Sequence, residues 1–199
     1  MELKLRLPKN VITANDANGL FRHAYCYTAY AGMAAKAARK IKHQNGETLA
    51  IEIGTTVGHW LRNYVPFDST VYDFVIPIPQ HWFRRVTVRY NQAEVLAENI
   101  ARELAIPIRR HWLHRTRWTD KQGTKTIVER RSSVIDSFGC KNSCDLMGAK
   151  LLLVDDIVTS GATSHDAARA LRKAGAARID VAAFARGVGA FNRQGPPTA

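Results

Sequence analysis

The chain has few cysteines, no long apolar run and fewer acidic than basic residues. Only three cysteines occur in 199 residues, too few for a disulfide framework, and Cys26, Cys140 and Cys144 fit a reducing compartment. No apolar run approaches the roughly 18 residues that a membrane span needs, so we expect no membrane contact. The first residues, MELKLRLPKN, lack the apolar core of a secretory signal. We therefore expect a cytoplasmic protein.

Two common nucleotide-binding motifs are missing as well. The chain has no G-x-x-x-x-G-K-[ST] motif, which excludes a P-loop, and no G-x-G-x-x-G after a strand, which excludes the dinucleotide fingerprint. Cys140 and Cys144 have no matching second pair, and the histidines form no H-x-x-x-H pair. Since a structural zinc ion needs four ligands, the sequence does not predict a zinc site.

The composition is that of a folded, basic domain. Hydrophobic residues make up 46% of the chain and charged residues 23%, which is enough for one core. With 29 Lys and Arg against 17 Asp and Glu, the formal net charge is +12. This balance favours an anionic partner, either nucleic acid or a polyphosphate ligand. Solubility alone is a simpler explanation that composition does not exclude.

The hydrophobic periodicity predicts an alternation of helices and strands. The predicted helices cover residues 23–43, 47–64, 91–105 and 164–176, and the predicted strands cover 71–79, 109–118, 149–154 and 178–185. Such alternation predicts an α/β fold with a mainly parallel sheet and helices on both faces. We expect a small helical N-terminal annex, or hood, over residues 1–70, a core over 71–190 and a disordered tail over 191–199.

The stretch AKLLLVDDIVTSGAT, residues 149–163, carries the strongest chemical signal. Its apolar strand ends in Asp155 and Asp156, and ligands of open α/β sheets bind beyond the carboxyl ends of the strands. A loop follows and leads into a helix near Ser164, whose free N–H groups and dipole favour an anion. The loop consists of Thr159, Ser160, Gly161, Ala162 and Thr163. Its glycine permits close backbone approach and its hydroxyls add donors.

The loop and the acids make different demands on a ligand. The loop favours a phosphate, whereas Asp155 and Asp156 favour hydroxyl donors or a hard cation such as Mg²⁺. Phosphoribosyl pyrophosphate carries a phosphate, ribose hydroxyls and a diphosphate that binds Mg²⁺, so it is the predicted ligand. A plainer interpretation is that Asp156 caps a turn and the threonines cap a helix. The length of the whole string favours the ligand.

The string VDDIVTSGAT resembles the phosphoribosyl pyrophosphate-binding motif of type I phosphoribosyltransferases. Four further segments are similar to the ComF-type, competence-associated branch of that superfamily, and the resemblance as a whole runs from about Ala24 to Gly187. They are AYAGMAAKAARKIKHQNGETLA, DFVIPIP, RYNQAEVLA and RTRWTDKQGTKTIVERRSSVIDSF. The resemblance implies the type I phosphoribosyltransferase fold.

The resemblance also implies residue roles. Thr159 to Thr163 would hold the 5-phosphate, and the catalytic Asp155 and Asp156 would hold the ribose hydroxyls and Mg²⁺. Basic side chains would bind the diphosphate and close a mobile loop over the site. The candidates for this role are Arg84, Arg85, Arg89, Lys121, Arg130 and Arg131. The acceptor would be nucleobase-like.

The sequence departs from the family pattern in three places. ComF-type proteins often begin with two Cys-x-x-Cys pairs, and none occurs here, so we expect no zinc ribbon. Arg89 directly precedes Tyr90, where the family has a glycine before its aromatic residue, and the later family asparagine is replaced near ERRSSVIDSF. These changes leave the phosphate loop intact and leave the acceptor and catalytic turnover open.

Two segments support a rival function. HWFRRVTVRY and RRHWLHRTRW interleave arginines with aromatic rings, a composition that suits weak binding of single-stranded DNA. The alternative function is therefore a non-catalytic nucleotide-binding or single-stranded DNA-binding accessory protein of the competence pathway. The opposite interpretation is that the rings face the core while the arginines serve the diphosphate. A homodimer stays open at this stage.

Overall fold

A computed structural model describes residues 11–12, 20–65, 67–80, 90–116, 137–141 and 146–187. Its main sheet has five strands in the order β1-β2-β7-β6-β3. These strands are β1 (Val11–Ile12), β2 (Ala24–Ala29), β3 (Phe74–Pro77), β6 (Lys150–Val158) and β7 (Arg178–Arg186). Strands β4 (Leu113–Arg115) and β5 (Phe138–Cys140) form a separate antiparallel pair.

Four helices flank the main sheet. They are α1 (Gly32–Lys40), α2 (Glu47–Tyr64), α3 (Gln92–Leu104) and α4 (Ala162–Lys173), with short 3-10 turns at Gln44–Gly46 and Ser69–Val71. The Asn91 side chain caps α3 by accepting from the Ala93 N–H at 3.2 Å. Glu94, in the first turn of the helix, lies 3.5 Å from Arg110. Among the described residues, no helix combines the length and apolar character that crossing a membrane requires.

The alternation of side chains along β6 builds a core on each face of the sheet. Leu151 and Leu153 pack with α4 and the β4–β5 pair on one face, and Leu152 and Val154 pack with α1, α2 and α3 on the other. All four are fully buried. This arrangement confirms the predicted α/β fold with helices on both faces.

The sheet is mainly parallel. β2, β7, β6 and β3 run parallel to their neighbours, and only β1 pairs antiparallel with β2. The carboxyl ends of four strands therefore meet at one edge, which we call the carboxyl edge, while their beginnings meet at the amino edge. Ligand sites of open α/β sheets lie at the carboxyl edge.

The amino edge holds a buried polar cluster around Asp180, the third residue of β7. The fully buried Asp180 carboxylate accepts the His23 N–H at 2.7 Å, the Tyr72 hydroxyl at 2.5 Å and the Arg178 Nε at 2.8 Å. Phe67 stacks on the Tyr72 ring with centroids 5.0 Å apart. Burial and Asp180 together raise the pKa of Tyr72, so the phenol stays a donor.

Three local expectations differ from the structure. Ala24–Ala29 is a strand, so the helix predicted over 23–43 is wrong for its first residues and α1 begins only at Gly32. The sequence AYCYTA alternates small and aromatic side chains between the two faces, which is the period of a strand. β6 continues to Val158 beyond the predicted end at Val154, and α4 begins at Ala162 rather than near Ser164. The division at residue 70 and the tail over 191–199 stay predictions, and that tail lies outside the described residues.

Candidate functional site

The acid pair and the following loop lie together at the carboxyl edge of the sheet. Asp155 and Asp156 occupy the last part of β6, with Asp155 paired to Ala183 of β7. Residues 159–161 then connect β6 directly to α4. The short connection brings two carboxylates and the N-terminus of a 12-residue helix to the same place.

The loop is shaped by Gly161, which has the left-handed conformation with φ 75° and ψ −2°. A side chain with a Cβ rarely adopts this conformation, so the glycine is required by the backbone itself. The Gly161 carbonyl accepts the His165 N–H at 2.8 Å and so begins α4. The predicted loop residues Thr159, Ser160, Ala162 and Thr163 are all exposed. The Ala162 N–H donates to Ser160 Oγ at 3.4 Å. The exposed threonine hydroxyls and the next N–H groups of α4 are placed to meet an anion.

Each carboxylate of the acid pair uses one oxygen within the backbone. Asp155 Oδ1 accepts the Asp156 N–H at 2.8 Å, and Asp156 Oδ1 accepts the Ile157 N–H at 2.9 Å. Asp156 Oδ2 forms an ion pair with the Lys42 Nζ at 2.7 Å. Lys42 lies just after α1, so the N-terminal helical region contributes a cation directly to this site.

Burial and the neighbouring carboxylate both disfavour the ionised form of Asp155. Burial raises the pKa of Asp155 well above the ordinary value, and the neighbouring Asp156 raises it further. Lys42 acts in the opposite direction and favours the ionised form. Perturbed acids at the mouth of a sheet are typical of functional sites, because ligand binding can relieve the unfavourable interactions.

Arg115, the last residue of β4, adds a second cation near the acids. Its Nε donates to the Pro79 carbonyl at 3.0 Å, and its guanidinium lies 4.5 Å from the Phe138 ring centroid. Burial lowers the pKa of Arg115, while the charges of Asp155 and Asp166 raise it. A half-buried arginine held in this way could meet a ligand phosphate without first becoming ordered.

The structure brings together part of the predicted site. Asp155, Asp156 and the loop 159–163 are adjacent, and their ligand-binding roles stay predictions. The six predicted diphosphate residues, Arg84, Arg85, Arg89, Lys121, Arg130 and Arg131, lie outside the described residues. Sequence reasoning missed Lys42 and Arg115. The available signal was weak, because each lies within a family-like segment that contains several other basic residues.

The two carboxylates that the structure describes here do not by themselves complete a site for a Mg²⁺ ion held by the protein alone. Mg²⁺ requires near-octahedral oxygen coordination. Within the described ranges, no three or more His, Cys, Asp or Glu side chains group together to hold a metal. Of the two carboxylates available, Asp156 already has Lys42 on its Oδ2.

Trp112, the tryptophan of the Arg-aromatic segments that the structure describes, is buried. Trp112 is only 8% exposed and lies edge-on to Phe74, with centroids 4.9 Å apart. Arg109 covers the Phe74 ring at 4.3 Å from its centroid. Trp112 therefore does not offer an exposed stacking surface for a base, whereas residues 81–89, 117 and 118 lie outside the described part.

One family model and several curated proteins match this chain. The family model of the phosphoribosyl transferase domain matches residues 91–194. Competence protein F of Haemophilus influenzae is 32% identical over 113 residues, 56% of this chain and 49% of that protein. DNA utilization protein YhgH of Escherichia coli O157:H7 is 29% identical over 113 residues, 55% of this chain and 47% of that protein. The chain thus spans about half the length of these curated relatives.

A solved structure shares the fold. The glutamine phosphoribosylpyrophosphate amidotransferase from B. subtilis has a TM-score of 0.51 and 18% identity, covering 75% of this chain and 30% of that one. At this identity the similarity concerns the fold alone. The family match and the two relatives together confirm the expected resemblance to ComF-type phosphoribosyltransferase-like proteins.

Proposed function

Because the chain belongs to the phosphoribosyl transferase domain family, we propose that it binds phosphoribosyl pyrophosphate and transfers the phosphoribosyl group to a nucleobase-like acceptor. One observation carries this proposal. A glycine with positive φ joins a strand that ends in two acids to the N-terminus of a helix, with three exposed hydroxyl side chains around the junction. This combination suits a ligand with a phosphate at one end and hydroxyls beside it.

The proposed roles follow from the chemistry of each group. The N–H groups at the start of α4, together with the hydroxyls of Thr159, Ser160 and Thr163, bind the 5-phosphate. Asp155 and Asp156 accept hydrogen bonds from the ribose hydroxyls. A ring nitrogen of the acceptor then attacks the anomeric carbon, the carbon–oxygen bond to diphosphate breaks and its electron pair leaves with the diphosphate. The nearby carboxylates stabilise the positive charge that develops on the sugar.

The leaving diphosphate needs positive charge. In this proposal the diphosphate of the donor would carry Mg²⁺, which would neutralise part of its charge, and the acids are not required to hold the ion. Arg115 is the described cation nearest in sequence to the predicted diphosphate residue Lys121. The six predicted basic residues supply the remaining positive charge. Catalysis then depends on positioning and on electrostatics rather than on a covalent intermediate.

A diphosphate-release assay tests the proposal. The full chain is incubated with Mg²⁺, phosphoribosyl pyrophosphate and each of a panel of nucleobases, and diphosphate is measured by a coupled reaction. We expect acceptor-dependent release from the wild type and its loss in an Asp155→Asn, Asp156→Asn double variant. Glu52→Gln, an exposed change on α2, is the control and should match the wild type. Absence of release with every base would contradict the transferase proposal.

The alternative is a non-catalytic accessory protein that binds nucleotides or single-stranded DNA. The names of the two relatives, a competence protein and a DNA utilization protein, support this alternative, as does the net charge of +12. Fluorescence anisotropy with labelled single-stranded DNA tests it. Electrostatic binding would be weak, independent of sequence and strongly reduced by salt. No binding at about 50 mM salt, where such contacts are strong, would exclude the DNA-binding form of this alternative.

Competition separates a shared from a separate DNA surface. If the same arginines bind DNA and diphosphate, phosphoribosyl pyrophosphate should displace the DNA. A separate surface would leave DNA binding unchanged. Sedimentation of the same samples would test whether the chain forms a homodimer.

A further inference from the structure

Lys42 lies on a short segment that two other parts of the chain hold in place. The Tyr90 hydroxyl donates to the Ile41 carbonyl at 2.5 Å and lies 3.3 Å from the His43 carbonyl, so it contacts the residues on both sides of Lys42. Ile41 is fully buried. The Gly46 backbone also packs closely against the Tyr90 hydroxyl, because a Cβ added at Gly46 would lie only 2.7 Å from it. The backbone of Lys42 is therefore fixed before its side chain reaches the acid pair.

The Lys42 ammonium contacts a carboxylate oxygen of Asp156 that a metal ion at this site would need. It lies 2.7 Å from Asp156 Oδ2, with the two side chains 29% and 16% exposed. The other oxygen of Asp156 already accepts the Ile157 N–H. A divalent cation coordinated by Asp156 would have to share an oxygen with the lysine or with the Ile157 N–H, and the lysine charge beside it would repel it. Lys42 is also the cation that opposes the mutual repulsion of Asp155 and Asp156.

We propose that Lys42 is the resident cation of the acid pair, in the position that a protein-held divalent ion would otherwise take, and that it positions Asp156 for the ribose hydroxyls of the donor. The first part depends only on the ion pair and on the packing around Lys42. The second part rests on the proposed function. The acids would then bind the sugar with a lysine beside them, and Mg²⁺ would enter only with the diphosphate.

A titration with Mn²⁺ alone tests the first part. Mn²⁺ prefers the same oxygen ligands as Mg²⁺ and is detected by electron paramagnetic resonance. We expect weak binding to the wild type and at least about tenfold tighter binding to Lys42→Met, because a charged hydrogen-bond partner no longer occupies Asp156. Adding Asp156→Asn to Lys42→Met should remove the gain. Lys40→Met, which removes the same charge from an exposed position two residues away, should behave as the wild type.

Equal Mn²⁺ affinity of the wild type and Lys42→Met would overturn the resident-cation assignment. Thermal unfolding first verifies that each variant is folded. Lys42→Gln, which keeps a polar side chain but loses the charge, provides a second neutral variant for the same titration. Lys42→Arg should keep Mn²⁺ binding weak, because it retains the positive charge.

Calorimetry with phosphoribosyl pyrophosphate tests the positioning role. Lys42→Met should bind the donor at least about tenfold more weakly than the wild type, and Lys42→Arg should recover part of the loss. Unchanged affinity in Lys42→Met would overturn the positioning role. If the wild type itself fails to bind the donor, the proposed function fails instead, and the Mn²⁺ titration still decides the assignment of Lys42.

Discussion

The amino edge and the carboxyl edge of the main sheet each carry acids, but these acids differ in burial and in their hydrogen-bond partners. At the amino edge, Asp180 is fully buried and accepts from three donors, one of them the cation Arg178. At the carboxyl edge, Asp155 and Asp156 are partly exposed, and the one ion pair described for them joins Asp156 to Lys42. The first carboxylate is satisfied within the fold, and the second pair still has capacity for groups from outside. We infer that the amino edge contributes to stability and the carboxyl edge to binding.

Replacing the buried acid should give the largest loss of stability. Asp180→Ala leaves Arg178 and the Tyr72 hydroxyl without their acceptor, and we expect a loss of about 3–5 kcal/mol in the free energy of unfolding. Urea denaturation measures it. Tyr72→Phe removes one donor only and should cost less, about 1–3 kcal/mol. A loss below about 1 kcal/mol in Asp180→Ala would show that this cluster is not a major source of stability.

Neutralising Asp155 and Asp156 should lower activity without lowering stability. In the double variant Asp155→Asn, Asp156→Asn, we expect turnover to fall by at least about 10²-fold, the scale of losing a key electrostatic group. The free energy of unfolding should stay the same or rise, because two like charges no longer repel. Wild-type activity in this variant would contradict the mechanism. Strong destabilisation would instead remove the contrast between the two edges.

The loop offers a separate test of binding at the carboxyl edge. Gly161→Val should abolish donor binding, because a side chain blocks backbone approach to the phosphate and strains the positive φ. The strain should cost about 1–3 kcal/mol of stability while the fold persists. Gly161→Asn is the matched control for the backbone, since asparagine tolerates this conformation. It should be more stable than the valine variant, yet still bind the donor more weakly than the wild type does. Calorimetry showing wild-type affinity in Gly161→Val would exclude the loop from the site.

The smallest expected effect is a change in pH dependence. The pKa of Asp155 is raised in the folded protein, so folding retains a proton that the unfolded chain loses above the ordinary carboxyl pKa of 3.8. The stability contributed by this group is therefore complete below 3.8 and is lost as pH rises through the folded pKa. Asp155→Asn should flatten this decline in a series of urea titrations from acid to neutral pH. An identical slope in the wild type and the variant would contradict the raised pKa.

Local patterns in the sequence were sufficient for most elements. The helix predicted over 47–64 matches α2, and the predicted helix over 91–105 contains α3, because both have a sustained apolar stripe and polar punctuation. The position of Asp155 and Asp156 also followed from sequence, since a buried apolar run predicts a parallel strand and its end predicts the ligand edge.

Contacts between distant segments were not predictable from local patterns. The strand Ala24–Ala29 has a strand-like alternation, but its small residues also suited a continuation of the following helix, and pairing with β7 decides its conformation. Lys42 is one of several basic residues in and just after α1, and the hydrogen bond from Tyr90 to the Ile41 carbonyl holds the segment from which it reaches Asp156. Arg115 likewise requires the β4–β5 pair to bring it near the acids.

The pairing of β2 with β7 constrains the order in which the protein can fold during synthesis. His23 and Asp180, which join the beginnings of these strands, are 157 residues apart in the chain. At about 5–20 residues per second, a ribosome needs roughly 10–30 seconds to make the intervening segment. Throughout that interval β2 has no parallel neighbour, because β7 is the strand on which it pairs. The N-terminal helices can form early, but the sheet cannot close until β7 has emerged, which favours late folding and prolonged exposure to chaperones.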